Sequence, residues 1–293
     1  MPDTFTFTGR DGAVITAYRW DPAGPPTGIV QLTHGLGEHA LRYTETAERL
    51  GTQGLVVYAQ DHRGHGATAG SPERYGRIGA EGWTELVADI GVLSALARAA
   101  HPGLPLTLLS HSMGSFATQQ YLVTPAAGGG AGPDGVILSG TAAIDLLAPA
   151  LDLDSPVGLE MFNAPFQPAR TDFDWLSRDE SVVDAYVADP RCGFGLDIAG
   201  NRAMFEDAVA AAALTDRIRS DLRLYLVVGE KDPVNGELAL LHALEQRYRT
   251  AGLTDITVVT YPDARHEILN ETNRAEVLDA IVVWLRDRGL IRS

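Results

Sequence analysis

The sequence predicts an α/β protein: one mostly parallel sheet with helices on both faces and a long insertion between two late strands. Three observations carry this. Short apolar strands without polar alternation recur between amphipathic helical stretches, the pattern of a sheet buried on both faces. That rhythm stops from about residue 141 to 220 and then resumes. The length, 293 residues with 45% apolar and 21% charged, suits one large domain carrying an inserted subdomain.

Taken in order, Phe5–Thr8 and Val14–Trp20 read as strands joined by a turn at Gly9-Arg10-Asp11-Gly12. Gly28–Leu32 is an apolar strand, Arg42–Gly51 a helix and Leu55–Ala59 a second apolar strand. Trp83–Ala100 has helical spacing in Leu86, Ile90, Leu93 and Leu96 and stops at His101-Pro102-Gly103. Leu106–Leu109 (strand), Met113–Val123 (helix) and Gly135–Leu138 (strand) follow. The Gly/Ala-rich stretch Ala126–Gly132 reads as a mobile loop. Prolines at 149, 156, 165, 168 and 190 then break short apolar segments such as Val157–Phe162 and Val182–Val187. Alternation returns with Leu222–Val228 (strand), Gly236–Thr250 (helix), Ile256–Thr260 (strand) and Arg274–Arg288 (helix). A structureless loop of such length is improbable inside a compact domain, so 141–220 reads as a cap over a core formed by 1–140 and 221–293.

Composition excludes several classes of function. With 38 acidic and 23 basic residues the net charge is -15, which disfavours nucleic acid as a partner and electrostatic docking on anionic lipid. No run approaches the roughly 20 apolar residues of a membrane span. Met1-Pro2-Asp3-Thr4 shows neither the basic nor the apolar part of a secretory leader, so a cytoplasmic location is expected. Cys192, the single cysteine, excludes an intrachain disulfide and a Cys-based zinc site, and reads as a small apolar filler.

Leu106 to Gly114 runs from a strand through Ser110-His111-Ser112-Met113-Gly114 into a helix, matching the nucleophile elbow G-x-S-x-G in its strand–turn–helix context, with Ser110 in place of the first glycine. A serine-capped helix would look the same in isolation. Two further residues in the α/β-hydrolase order Ser…Asp…His argue for the elbow. Asp232 follows the apolar strand ending at Val228, with Glu230 and Asp263 as alternatives. His266 sits on the loop after the last strand. The loop His34-Gly35-Leu36-Gly37 follows an early strand, where this fold takes its second oxyanion donor. Leu36 and Met113 are therefore the expected backbone donors, with Gly35 allowing close approach of substrate. His34 reads as a brace for that loop. The spacing of His34, His39 and Asp61-His62-Arg63-Gly64-His65-Gly66 fits no established metal motif, so a tight hydrogen-bonded turn is expected there and no metal.

His34-Gly35-Leu36-Gly37-Glu38-His39, Arg42-Tyr43, Asp61 to Gly66, His111 to Gly114 and Ala264-Arg265-His266-Glu267-Ile268-Leu269-Asn270-Glu271 together resemble the monoacylglycerol lipase / lysophospholipase branch of the α/β-hydrolases, over about residues 28 to 290. The resemblance implies Ser112, Asp232 and His266 as the triad and Leu36 and Met113 as oxyanion donors. It implies acyl transfer without metal or organic cofactor, on a single-chain ester such as a monoacylglycerol. Leu146, Leu147, Leu151, Leu159, Met161, Phe162, Phe166 and Trp175 are candidates to line an acyl tunnel or an adsorbing lip, with a small core internal to the cap as the alternative. A carboxylesterase of short or aromatic esters, a perhydrolase or aminopeptidase with the same triad, and a non-catalytic binding protein on this scaffold remain open. Epoxide hydrolase and haloalkane dehalogenase are disfavoured because they need aspartate at position 112.

Overall fold

The computed structural model describes residues 1–124, 132–150, 152–155 and 158–292. Strands β1 (Asp3–Thr8) and β2 (Val14–Trp20) form the antiparallel hairpin, closed by Gly12 at φ 89°. β2 pairs antiparallel with β4 (Leu55–Gln60). β3 (Gly28–Thr33), β5 (Leu106–His111), β6 (Gly135–Ser139), β7 (Arg223–Gly229) and β8 (Ile256–Tyr261) complete a parallel body with β4. The strand order is β1-β2-β4-β3-β5-β6-β7-β8. The expected α/β architecture is thus present.

The helices are α1 (Thr44–Gly51), the single turn α2 (Gly66–Ala69), α3 (Gly79–Ala100), α4 (Met113–Val123), α5 (Glu180–Ala188), α6 (Ile198–Ala212), α7 (Ala239–Thr250) and α8 (Arg274–Asp287). Successive strand residues feed opposite faces, which is why the strands read as unbroken apolar runs. In β7, Leu224, Leu226 and Val228 join the core beneath α3, α4 and α7, whereas Tyr225 and Val227 join the one beneath α1 and α8. Two boundaries differ from expectation. The helix expected from Arg42 begins as a 3-10 turn, Ala40–Tyr43. α7 starts at Ala239 rather than Gly236 because Gly236, Glu237 and Leu238 all have positive φ, which a helix does not admit.

Between β6 and β7 the described residues form no strand. They contribute 3-10 turns at Ile144–Leu146, Ala148–Ala150 and Leu159–Phe166, then α5 and α6. Gln120 fastens α6 to the body: it accepts from Trp83 Nε1 at 2.6 Å and donates to the Met204 carbonyl at 3.1 Å. Leu151 and all but Gly132 of the stretch Ala126–Gly132, expected as a loop, lie outside the described residues.

Candidate active site

Ser112 joins β5 to α4 at φ 50° and ψ -122°, a strained conformation for a residue with a Cβ. The turn is possible only because its neighbours are small. A Cβ on Gly114 would stand 2.4 Å from the Thr33 carbonyl oxygen and 2.5 Å from that of His34. Ser110, the departure from glycine, is fully buried and its hydroxyl pairs with that of Thr118 at 2.8 Å, so the extra atom is hydrogen-bonded as well as packed.

Asp232 and His266 are delivered by the ends of β7 and β8. The two loops touch at Gly229, where a Cβ would stand 2.2 Å from the Ala264 carbonyl oxygen. Asp232 caps the 3-10 turn Pro233–Asn235 by accepting the Val234 amide at 2.9 Å. Its Oδ1 lies 2.9 Å from His266 Nδ1, both side chains being almost wholly buried. The contact is off the ideal hydrogen-bond line, leaving Nδ1 and Asp232 Oδ2 without a well-directed bond among the described residues. Catalytic hydrogen bonds often tighten only with substrate. The alternatives are placed elsewhere: Glu230 accepts from Thr260, and Asp263 is exposed at φ 60°. The His266 ring is held between those of His111 and Trp175, 4.7 and 4.8 Å away by centroid. Burial works against its protonated form, but Asp232, then Glu267 and Glu38, outweigh this and raise its pKa above the ordinary 6.5.

Leu36 and Met113, the expected oxyanion donors, both line the cavity with Ser112, and neither amide finds a hydrogen-bond partner among the described residues. Gly35 brings the loop in close: a Cβ there would stand 3.1 Å from that of Ser112. Its amide donates to Glu38 Oε1 at 2.5 Å. Arg42 bridges Glu38 (2.5 Å) to both oxygens of Glu267 (2.6 and 2.8 Å), and its guanidinium sits 4.7 Å over the Tyr186 ring. Burial raises Glu38 despite Arg42. Glu267 feels the same burial but is drawn down to about 2 by its two-pronged contact with Arg42. This cluster, unforeseen in the sequence, ties the loop of Gly35 and Leu36 to the loop that carries His266.

His34 accepts the His62 amide at 2.9 Å through Nε2 and donates from Nδ1 to the Gly35 carbonyl at 2.8 Å, the geometry of a brace. Asp61 is saturated by Ala40 N, Tyr18 Oη and Ala67 N, leaving it to hold the turn. The one trio with metal-ligand proximity among the described residues is His39, Asp189 and Cys192. It suits a metal poorly: Arg191 pairs with Asp189, and burial pushes the Cys192 thiol up to about 12.

A cavity of about 350 Å³ opens onto Ser112 and His266. Of the residues expected near substrate, Gly35, Leu147, Leu159, Met161, Phe162 and Trp175 line this cavity. Two expectations need correction. Leu146 is 51% exposed and outside the lining, because in the 3-10 turn residues three apart share a face and Ile144 and Leu147 take the inner one. Phe166 instead lies under the Arg265 guanidinium, 4.5 Å from it. Phe116 and, from α6, Asn201, Met204 and Phe205 supply wall that sequence reasoning missed.

The family model described as "Serine aminopeptidase, S33" (Hydrolase_4) matches residues 24–273. The chain belongs to this family. Among its relatives, a monoacylglycerol lipase of Mycolicibacterium smegmatis is 36% identical over 295 residues, 96% of this chain and 95% of that protein. A human monoglyceride lipase is 32% identical over 198 residues, 64% of this chain and 60% of that one. A thermostable carboxyl esterase from Bacillus coagulans, solved with glycerol, superposes with TM-score 0.86 at 25% identity, covering 98% of this chain and 99% of that one. The protein is a monoacylglycerol lipase-like α/β-hydrolase.

Proposed function

We propose that this carboxylic ester hydrolase is a serine enzyme that cleaves monoacylglycerols or similar single-chain lipid esters through an acyl-enzyme. The observation that carries the reading is a largely apolar cavity converging on Ser112 and His266, its volume within the roughly 300–1,000 Å³ usual for small-molecule sites. In this reading Asp232 keeps the proton on His266 Nδ1, and Nε2 takes the Ser112 proton as the hydroxyl attacks the ester carbonyl. The Leu36 and Met113 amides receive the oxyanion. His266 then protonates the departing alcohol, and water releases the acyl group by the reverse sequence. No metal or organic cofactor is required.

Residues 141–220 serve as the cap, supplying Leu147, Leu159, Phe162 and α6 to the acyl wall. Among the described residues no helix is long and apolar enough to cross a membrane. Contact with lipid surfaces is transient in this proposal, with half-exposed Met161 at the cavity edge, and the setting is cytoplasmic, which cell fractionation tests. The likeness to a carboxyl esterase favours a second reading, short-chain or aromatic esters with the same triad. Aminopeptidase action has less support, because a free amino terminus needs an unpaired carboxylate and Arg42 holds both Glu38 and Glu267.

The test is a set of initial rates on monoacylglycerols of three chain lengths, a triacylglycerol, short and aromatic esters and an aminoacyl amide, with Ser112→Ala as blank. A peak on medium or long monoacylglycerols with the triacylglycerol untouched supports the proposal. A peak on short esters transfers it to the second reading.

A further inference from the structure

Apart from Ser112 and His266, the polar side chains lining the cavity are nearly all committed to the protein. His111 Nδ1 pairs with the Ser139 hydroxyl at 3.2 Å. Glu38 and Glu267 are held by Arg42. The Tyr186 hydroxyl donates to the Gly37 carbonyl at 2.8 Å and accepts the Gly193 amide at 3.1 Å. Asn201 differs. It is 4% exposed, lines the cavity, and its Nδ2 has no hydrogen-bond partner among the described residues. It stands on the face of α6 that also presents Met204 and Phe205, three and four residues on, both in the same wall. An apolar side chain would suit that wall and the helix better, since asparagine is a weak helix former and a buried amide without a partner carries its full desolvation cost.

We propose that Asn201 is a specificity-determining residue whose side-chain amide hydrogen-bonds a hydroxyl that the substrate carries outside the ester group being cleaved. Two chemistries supply such a hydroxyl: the free hydroxyls of a glycerol ester, or a hydroxyl on the acyl chain. The inference rests on the ester-hydrolase reading above and adds to it what the cavity selects.

The experiment measures kcat/KM of the full-length enzyme and Asn201→Leu on two matched pairs: 1-monooleoylglycerol against methyl oleate, and methyl 12-hydroxyoctadecanoate against methyl octadecanoate. A ratio within one pair is independent of the folded fraction, and Asn201→Ala repeats the reading should leucine disturb packing. The expected result is a loss of about tenfold on the hydroxylated member of one pair, with its plain partner changed less than about twofold. The pair that collapses identifies the source of the hydroxyl. Turnover of all four esters with both ratios unchanged in the variants overturns this proposal alone. No turnover of any ester by wild type overturns the functional reading and takes this one with it.

Discussion

The indole of Trp175 lies 4.8 Å from the imidazole of His266, ring centre to ring centre, and the Trp175 carbonyl accepts the His266 amide at 3.3 Å. A residue from the segment between β6 and β7 therefore holds both the ring and the backbone of the proposed base. Trp175→Ala should lower kcat about tenfold or more through misplacement of His266, and destabilise the fold by about 3–5 kcal/mol from the lost core volume. Trp175→Phe should recover most of kcat. Steady-state rates beside urea unfolding check this; unchanged kcat in the alanine variant removes the positioning role.

His266 must be unprotonated to accept the Ser112 proton, and its pKa is raised above 6.5. The rate should therefore climb with pH through a midpoint on the alkaline side of 6.5. Asp232 is the largest of the influences favouring the imidazolium, so Asp232→Asn should move the midpoint downward while cutting kcat by about 10⁴. A kcat/KM profile from pH 5 to 9 on a soluble ester reads both effects.

Arg42→Met leaves Glu38 and Glu267 buried side by side without their shared cation. Removing one partner from a buried ionic cluster typically costs about 3–5 kcal/mol, and urea denaturation should show a loss of that order. Arg42→Lys should recover only part of it, since an ammonium cannot make the two parallel bonds to Glu267.

Acid should destabilise the fold well before the carboxylates titrate. Burial, the main cause in each case, holds His62 down to about 3 and His65 to about 4, with His34 and His111 also well below 6.5. Their folded pKa values are depressed, so the unfolded chain binds more protons below pH 6.5 and stability falls as pH drops. For His62 and His65 the loss by pH 5 is about 2 kcal/mol each. His266, with its raised pKa, works in the opposite direction and offsets part of this. Thermal midpoints between pH 7.5 and 5 should fall steadily; a flat profile would contradict neutral burial of the histidines.

The elbow was legible because its information is local: a strand, a serine between small residues and a helix occupy nine consecutive positions. Asp232 and His266 were legible from their places after apolar strands, and the sheet from those same strands. The cavity wall was harder to read. Met204 and Phe205 sit in an alanine-rich stretch with weak periodicity, and α6 acquires its inner face only by packing on α3 and α4. The turn at Ile144–Leu146 chooses Ile144 and Leu147 over Leu146 by its threefold period, which composition does not reveal. The Glu38–Arg42–Glu267 cluster joins residues 225 positions apart, so no local pattern announces it.

The strand order also makes active-site chemistry a reporter of folding. Ser112 leaves β5, in the middle of the sheet, whereas His266 follows β8 at its edge, which reaches β5 only across β6 and β7. Contacts between segments so distant in sequence form late and slowly. A refolding chain can complete β3, β4 and β5 and display its serine while the base is still undocked. Under the proposed mechanism, fluorophosphonate labelling during refolding should lag behind the recovery of helical signal, timing the arrival of the last strand.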